Sequence, residues 1–295
     1  MKSLFLWCLY HPVRALLIRL PLCLSLFFAD RLGDMEYLLV GRRNRKLTHY
    51  MQRILAATPW AARVEELKHR NFRFRYRNLI ARQLQTAGRL RPPSPTGFSL
   101  ESLAGRGVCF PMCHIGYFFV GFTSLAEAFP QPIYTTSMMR EGETALEAQC
   151  IAQKMEMIRN LKTHPIFDLA SLKKTCLPAV ARGEGGYIPT LDVVTNRAKA
   201  YPLLGGEVIL SLDATAAYVD ENRLPVVPFF VTGNDLRSPK VELPGCFDPQ
   251  EETEPDAFSR WYLEILERCV EQHPEVVDWF FWWKNTERYA QRKRS

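Results

Sequence analysis

Behind a proline-rich breaker, Arg91-Pro-Pro-Ser-Pro-Thr-Gly97, short apolar runs alternate with longer helix-compatible stretches. That alternation limits the fold more than any other feature of the chain. Gly107–Cys113 reads as a strand and His114–Phe129 as a helix ended by Pro130. Pro132–Ser137 reads as a strand, Thr144–Asn160 as a long helix, Pro165–Asp168 as a short strand, and Leu169–Arg182 as a helix stopped by Gly183. Gly186–Thr190, Leu224–Thr232 and Lys240–Leu243 complete the strands, with a weak helix at Thr215–Asn222 and a closing helix at Asp256–His273. A β-α-β-α order gives an α/β fold, a mostly parallel sheet flanked by helices.

Ahead of the breaker the pattern is helical and basic. Residues 1–91 hold 18 Lys and Arg against 5 Asp and Glu, and residues 92–295 hold 20 against 26. A net of +13 in the first third points to an anionic partner surface, lipid headgroups or nucleic acid. Ala15–Phe28 is nearly all apolar, but Arg19 and Pro21 interrupt it. A span needs about 20 apolar residues, and a central arginine is costly there. The expectation is an N-terminal membrane-associating helix lying in the interface or forming a single shallow anchor, with a buried core helix as the alternative. Leu38–Thr58 and Arg63–Gln85 read as helices. In the second, Arg70, Arg73, Arg75, Arg77 and Arg82 interleave with aromatics. With no nucleic-acid motif present, this is read as a solvated face near anionic lipid, and no nucleic-acid partner is expected. The organisation is then a membrane-associating helix over 1–35, a basic helical region over 36–97 packing on the core, and an α/β domain over 98–295.

The chemistry-bearing stretch is Gly107-Val-Cys-Phe-Pro-Met-Cys-His114-Ile-Gly-Tyr-Phe-Phe119. A histidine where a strand gives way to a helix sits at the rim of the sheet, where α/β folds place their ligands. Alternation puts Cys109 and Cys113 on one face as small hydrophobes, so no metal site is expected. The apolar neighbours of Cys113 make it an inert thiol rather than a nucleophile. Free cysteines in a chain of this length fit a reducing compartment.

The order of parts resembles the lysophospholipid acyltransferase superfamily, specifically the late acyltransferases of lipid A biosynthesis. The resemblance rests on Gly105-Arg-Gly107-Val108, His114-Ile-Gly116, Arg182-Gly-Glu-Gly-Gly186, Pro189-Thr-Leu-Asp192, Tyr201-Pro-Leu-Leu-Gly-Gly206 and Leu224-Pro-Val-Val-Pro-Phe-Phe230. It extends to the end segment His273-Pro-Glu-Val-Val-Asp-Trp-Phe-Phe-Trp-Trp-Lys-Asn285. It implies a glycerolipid acyltransferase-like fold at the cytoplasmic face of a bacterial inner membrane. The implied reaction, with no cofactor, moves an acyl group from an acyl carrier protein or coenzyme A thioester to a lipid or lipid-like acceptor.

The chain departs from the family at the His-x4-Asp/Glu hallmark, which here reads His114-x4-Phe119. Three readings follow. In the first, His114 is the base and another acid orients it. Asp192 is the candidate, because it too follows a predicted strand. In the second, the acceptor is an amine, which needs less help from a base. In the third, catalysis is lost and the chain binds a carrier or lipid. Substrate contacts are expected at Gly116, Tyr117 and Phe119 beside the histidine, at Arg140 in the place of a family arginine, and at Arg197 near Asp192. Trp279–Trp283 is expected against the sheet or at the lipid interface.

Overall fold

The computed structural model describes residues 9–137, 144–233, 235–252, 254 and 256–294. The apolar run at Ala15–Phe28 is not one helix. A short turn, Arg14–Leu17, closes at Leu20, and a new helix α1 (Leu22–Glu36) starts behind Pro21. Proline at the entry suits this break, because it lacks the amide that a continuing helix would use. A single turn of π-helix, Tyr37–Gly41, extends α1, and α2 (Arg45–Ile54) follows behind an Asn44 cap. Then comes α3 (Val64–Thr86), with Glu65 and Glu66 in its positive first turn.

α1 lies along α3, and the contact depends on small residues. Ser25, Ala29 and Gly33 face α3 at helical spacing. A Cβ on Gly33 would stand 2.6 Å from the Arg73 Cα, so only glycine lets the two backbones approach this closely. Around that contact the arginines of α3 are taken up by acids of α1. Arg77 pairs with Asp30 at 2.6 and 2.7 Å, Arg73 with Asp34 at 2.5 and 3.1 Å, and Arg75 with Glu36 at 3.3 Å. Arg70 pairs with Glu66 and Lys68 with Glu65. The expected solvated basic face is therefore corrected: all five acids of the first 91 residues are paired with cations of α3.

The α/β part runs β1 (Thr96–Gly97), β2 (Val108–Cys109), α4 (Phe118–Ala128), β3 (Ile133–Thr136), α5 (Ala145–Arg159), β4 (His164–Ile166) and β5 (Gly186–Ile188). Three short helical pieces, Leu169–Ser171, Leu172–Cys176 and Leu177–Ala181, join β4 to β5. A hairpin of β6 (Lys199–Leu203) and β7 (Gly206–Leu210) follows, then α6 (Leu212–Asn222), β8 (Phe230–Thr232), β9 (Lys240–Leu243), α7 (Ala257–Gln272) and α8 (Trp279–Arg292). β2, β5, β3 and β4 form a parallel sheet in the order β2-β5-β3-β4. β9 pairs parallel with β1 and antiparallel with β8. A bridge from Cys109 to Val226 carries the Leu224–Phe229 segment alongside β2. The α/β class with a parallel sheet flanked by helices is as the alternation implies.

One continuous apolar core runs from Leu17 through β2 and α4 to Trp283. Trp279 and Trp282 are buried in it, so the aromatic run packs inward rather than lying on the surface. Two sequence expectations shift. The helix after the histidine begins at Phe118 rather than His114, because His114–Tyr117 is a turn. Lys199–Leu210, where the sequence reading assigns no element, is the β6–β7 hairpin.

Candidate active site

His114 and Asp192 meet because of strand register. In β2 and β5, Val108 pairs with Gly186 and Cys109 with Tyr187, and the same offset continues to a bridge between Met112 and Thr190. Two residues further on, along both segments, stand His114 and Asp192. The Asp192 carboxylate receives three hydrogen bonds. Oδ1 lies 2.8 Å from the imidazole Nδ1 of His114. Oδ2 accepts from the His114 backbone amide at 2.7 Å and from the Trp282 indole at 2.7 Å. Asn285 donates to the Asp192 carbonyl at 2.5 Å. The Asp192 side chain is 0% exposed and that of His114 20%. A fully buried carboxylate with this set of donors is a fixed acceptor, and it holds the ring by Nδ1, the arrangement in which Nε2 is the basic nitrogen.

The turn carrying His114 is clamped from the far end of the chain. Gly116 donates to the Val276 carbonyl at 2.8 Å, and Asp278 donates its amide to the His114 carbonyl at 3.0 Å. Gly116 has φ +70°, and a Cβ there would fall 1.7 Å from the Val231 carbonyl oxygen. The position needs glycine on both counts. The Asn71 side chain ties α3 to the same clamp through the Val277 carbonyl at 2.5 Å. The imidazole packs edge-on to Phe118 at 4.9 Å and against Phe281 at 4.1 Å.

His114 opens onto a cavity of about 410 Å³ lined also by Glu36, Arg75, Tyr76, Asn78, Leu79, Arg82, Phe118, Phe119 and Asp278. That volume lies within the range of small-molecule sites. Phe119 is a wall of the cavity, and the Arg82 guanidinium stands 5.3 Å from its ring. Asp278 caps α8 by accepting from the Phe281 amide at 3.0 Å. Burial pushes its carboxyl above the usual carboxylate range, against the opposing pull of Arg75.

The other expected site residues fall elsewhere. Tyr117 is buried against Phe74 and does not line the cavity, and burial pushes its hydroxyl up. Gly116 serves the turn through its backbone. Arg197 is on an exposed loop away from the cavity, so it is not brought to the site. Arg140 lies outside the described residues. The Cys113 thiol is buried 3.4 Å from the Tyr262 hydroxyl, and burial pushes it well up, which leaves it inert. No group of three or more His, Cys, Asp or Glu among the described residues is placed to hold a metal ion. Sequence reasoning missed Trp282, Asn285 and Asp278. The available signal was an indole and an amide three residues apart on the buried face of α8.

No protein-family model matches the chain, and no curated protein matches its sequence.

Proposed function

We propose that this protein is an acyltransferase that moves an acyl group from a thioester, carried by an acyl carrier protein or coenzyme A, to a hydroxyl of a lipid or lipid-like acceptor. The observation that carries the reading is the contact at 2.8 Å between His114 Nδ1 and the buried Asp192 carboxylate, beside a cavity large enough for a substrate. Asp192 occupies the orienting role that Phe119 cannot fill, so the absence of an acid at 119 gives no reason to invoke an amine acceptor or lost catalysis.

In this mechanism the acceptor hydroxyl attacks the thioester carbonyl carbon while Nε2 of His114 takes its proton. Asp192 keeps Nδ1 protonated and stabilises the imidazolium that forms. The tetrahedral intermediate collapses with loss of the thiolate, which takes the proton back from Nε2. The products are an ester and a free thiol, and His114 is returned neutral.

The reading includes a membrane-bound acceptor at the cytoplasmic face of a bacterial inner membrane. Supporting it is an exposed apolar stripe of Leu24, Phe27, Phe28, Leu32, Met35, Leu38, Leu39 and Val40 on the outer side of α1 and the turn after it. Exposed Arg31, Arg42, Arg43, Arg45 and Lys46 flank that stripe. No helix among the described residues is long and apolar enough to cross a membrane, so the mode of association proposed is docking in the interface.

The test is acyl transfer by detergent-purified protein. Acyl carrier protein and coenzyme A thioesters are supplied with a lipid extract, products are read by mass spectrometry, and His114→Ala is the control. New acylated lipid that disappears in the variant supports the reading. Product that survives in the variant removes His114 as the base.

A further inference from the structure

Acyl transfer places a negative charge on the former carbonyl oxygen, while His114 and Asp192 act on the proton of the attacking hydroxyl. A hydrogen-bond donor fixed in advance beside that oxygen is a large part of catalysis of this kind. Besides His114, the side chains with N–H or O–H donors lining the cavity are Arg75, Tyr76, Asn78 and Arg82. Arg75 is drawn to Glu36, donating from Nη1 at 3.3 Å. Burial, and after it the charge of Glu36, push the Tyr76 hydroxyl up, which weakens it as a donor. Arg82 is engaged elsewhere, with its Nε buried. The Asp278 carboxyl is taken up in capping α8. Asn78 differs from all of these. It is half-buried, and its side chain makes no hydrogen bond among the described residues. Neither its nitrogen nor its oxygen is sealed in the core, so the amide is open to the cavity that it lines.

The helix brings that amide to the histidine. Asn71, Arg75, Asn78 and Arg82 recur at i, i+4, i+7 and i+11, which is one face of α3. Asn71 donates to the carbonyl of Val277, whose neighbour Asp278 holds the His114 carbonyl through its amide. Arg75 stands 4.3 Å from the Phe280 ring, and the next residue, Phe281, packs on the imidazole at 4.1 Å. Arg82 stands 5.3 Å from Phe119, which packs at 4.5 Å on Phe118, the other neighbour of the imidazole. Asn78 lies between Arg75 and Arg82, on the length of α3 that spans these two aromatic contacts. The Gly33 contact and the Arg73–Asp34 and Arg77–Asp30 pairs hold α3 against α1, so the amide is fixed before a substrate arrives.

We propose that the Asn78 side-chain amide is the donor that binds the oxyanion of the tetrahedral intermediate, a catalytic role that rests on the acyl transfer proposed above. As the acceptor oxygen bonds to the thioester carbon, the π pair of the carbonyl moves onto its oxygen and Asn78 Nδ2–H hydrogen-bonds the charge. When the C–S bond breaks, that pair re-forms the carbonyl and the sulfur takes the proton from His114. Asn78 neither gains nor loses a proton. An uncharged amide also escapes the ion pair with Glu36 that occupies Arg75 on the same wall.

Two readouts test this. In steady-state acyl transfer, Asn78→Ala lowers kcat about 10²–10³-fold with KM little changed, the loss typical of one oxyanion donor. The variant unfolds at the wild-type temperature or above, because alanine is the better helix former and no protein acceptor loses a donor. Asn78→Leu, of similar volume, carries the same test if Asn78→Ala does not fold. The second readout needs no turnover. Difference infrared spectra are taken of octanoyl-pantetheine, labelled with carbon-13 at the thioester carbonyl and bound to each protein. The carbonyl band lies at lower frequency in the wild type than in Asn78→Ala, because the hydrogen bond weakens the C=O bond.

The same band position in both proteins, or no bound band, overturns the proposal. So does a loss of activity that comes through a raised KM or lost stability instead of a lowered kcat. Transfer that is abolished in His114→Ala but kept within about tenfold in Asn78→Ala removes Asn78 and leaves the reaction standing. A wild-type protein that shows the shifted band but transfers no acyl group overturns the reaction and leaves Asn78 as the donor to the carbonyl.

Discussion

Asp192→Asn removes one charge and exchanges one acceptor oxygen for a donor at the centre of the site. Asp192 now accepts from three donors: the His114 amide and the Trp282 indole at Oδ2, and the His114 ring at Oδ1. An amide has one acceptor oxygen. If that oxygen replaces Oδ2, it satisfies the backbone amide and the indole, and its NH2 faces Nδ1. The ring then avoids a donor–donor clash only by carrying its proton on Nε2. If the oxygen replaces Oδ1, two buried donors face an NH2 at a cost of about 1–3 kcal/mol each. The first arrangement wins, so the protein stays folded with the wrong tautomer. A histidine protonated at Nε2 cannot accept a proton there, and kcat falls by about 10⁴-fold, as for a histidine base of similar geometry. KM changes little, because Asp192 is fully buried and does not line the cavity. The assay is steady-state acyl transfer together with nitrogen-15 chemical shifts of the His114 ring. Retention of kcat within about tenfold, or a ring still protonated at Nδ1 in the variant, would refute the reasoning.

Three further outcomes are expected. Gly116→Ala, set by φ +70° and the contact of 1.7 Å with Val231, destabilises the protein by about 3 kcal/mol in denaturant titration and abolishes transfer with it. Leu38→Ser with Leu39→Ser, at residues 62% and 70% exposed, leaves stability unchanged but lowers recovery with floated anionic vesicles at least about tenfold, insensitive to nuclease. Asp34 is held below the ordinary carboxylate range by its hydrogen bonds from Arg73 and secondarily by His69. Its contribution is therefore present above the unfolded carboxylate pKa of 3.8 and lost as pH falls through the lower folded value. Asp34→Asn is then less stable than wild type by about 1 kcal/mol at neutral pH, and the gap closes in acid unfolding as pH falls through that lowered value.

The alternation of apolar runs is local information, and so the sheet and most helices were legible in the sequence. The pairing of His114 with Asp192 was legible for a related reason. Both follow strands of a parallel sheet, and parallel strands deliver their C-terminal ends to one rim. The β6–β7 hairpin was not legible, because its two-residue turn is Leu204-Gly205 rather than an asparagine–glycine pair. Leu204 adopts φ 51°, and its amide is held by Glu267 from α7 at 2.8 Å, a tertiary contact that overrides the residue's own preference. The charge pattern misled for a similar reason. The acids that neutralise Arg73, Arg75 and Arg77 are Asp34, Glu36 and Asp30, which lie 39 to 47 residues away, beyond the reach of helical periodicity. Arg197 is near Asp192 in sequence, but its loop turns away from the rim.

The clamp on His114 comes from residues 276–285, while the histidine itself precedes them by more than half the chain. During synthesis the ribosome releases α1 and its apolar face long before α8. Until Trp282 and Asn285 emerge, Asp192 lacks the indole and the amide that fix its carboxylate and backbone. The nascent chain therefore exposes that apolar face while it still has no organised histidine. An order of emergence that ends with α8 makes the last helix the step that switches the site on.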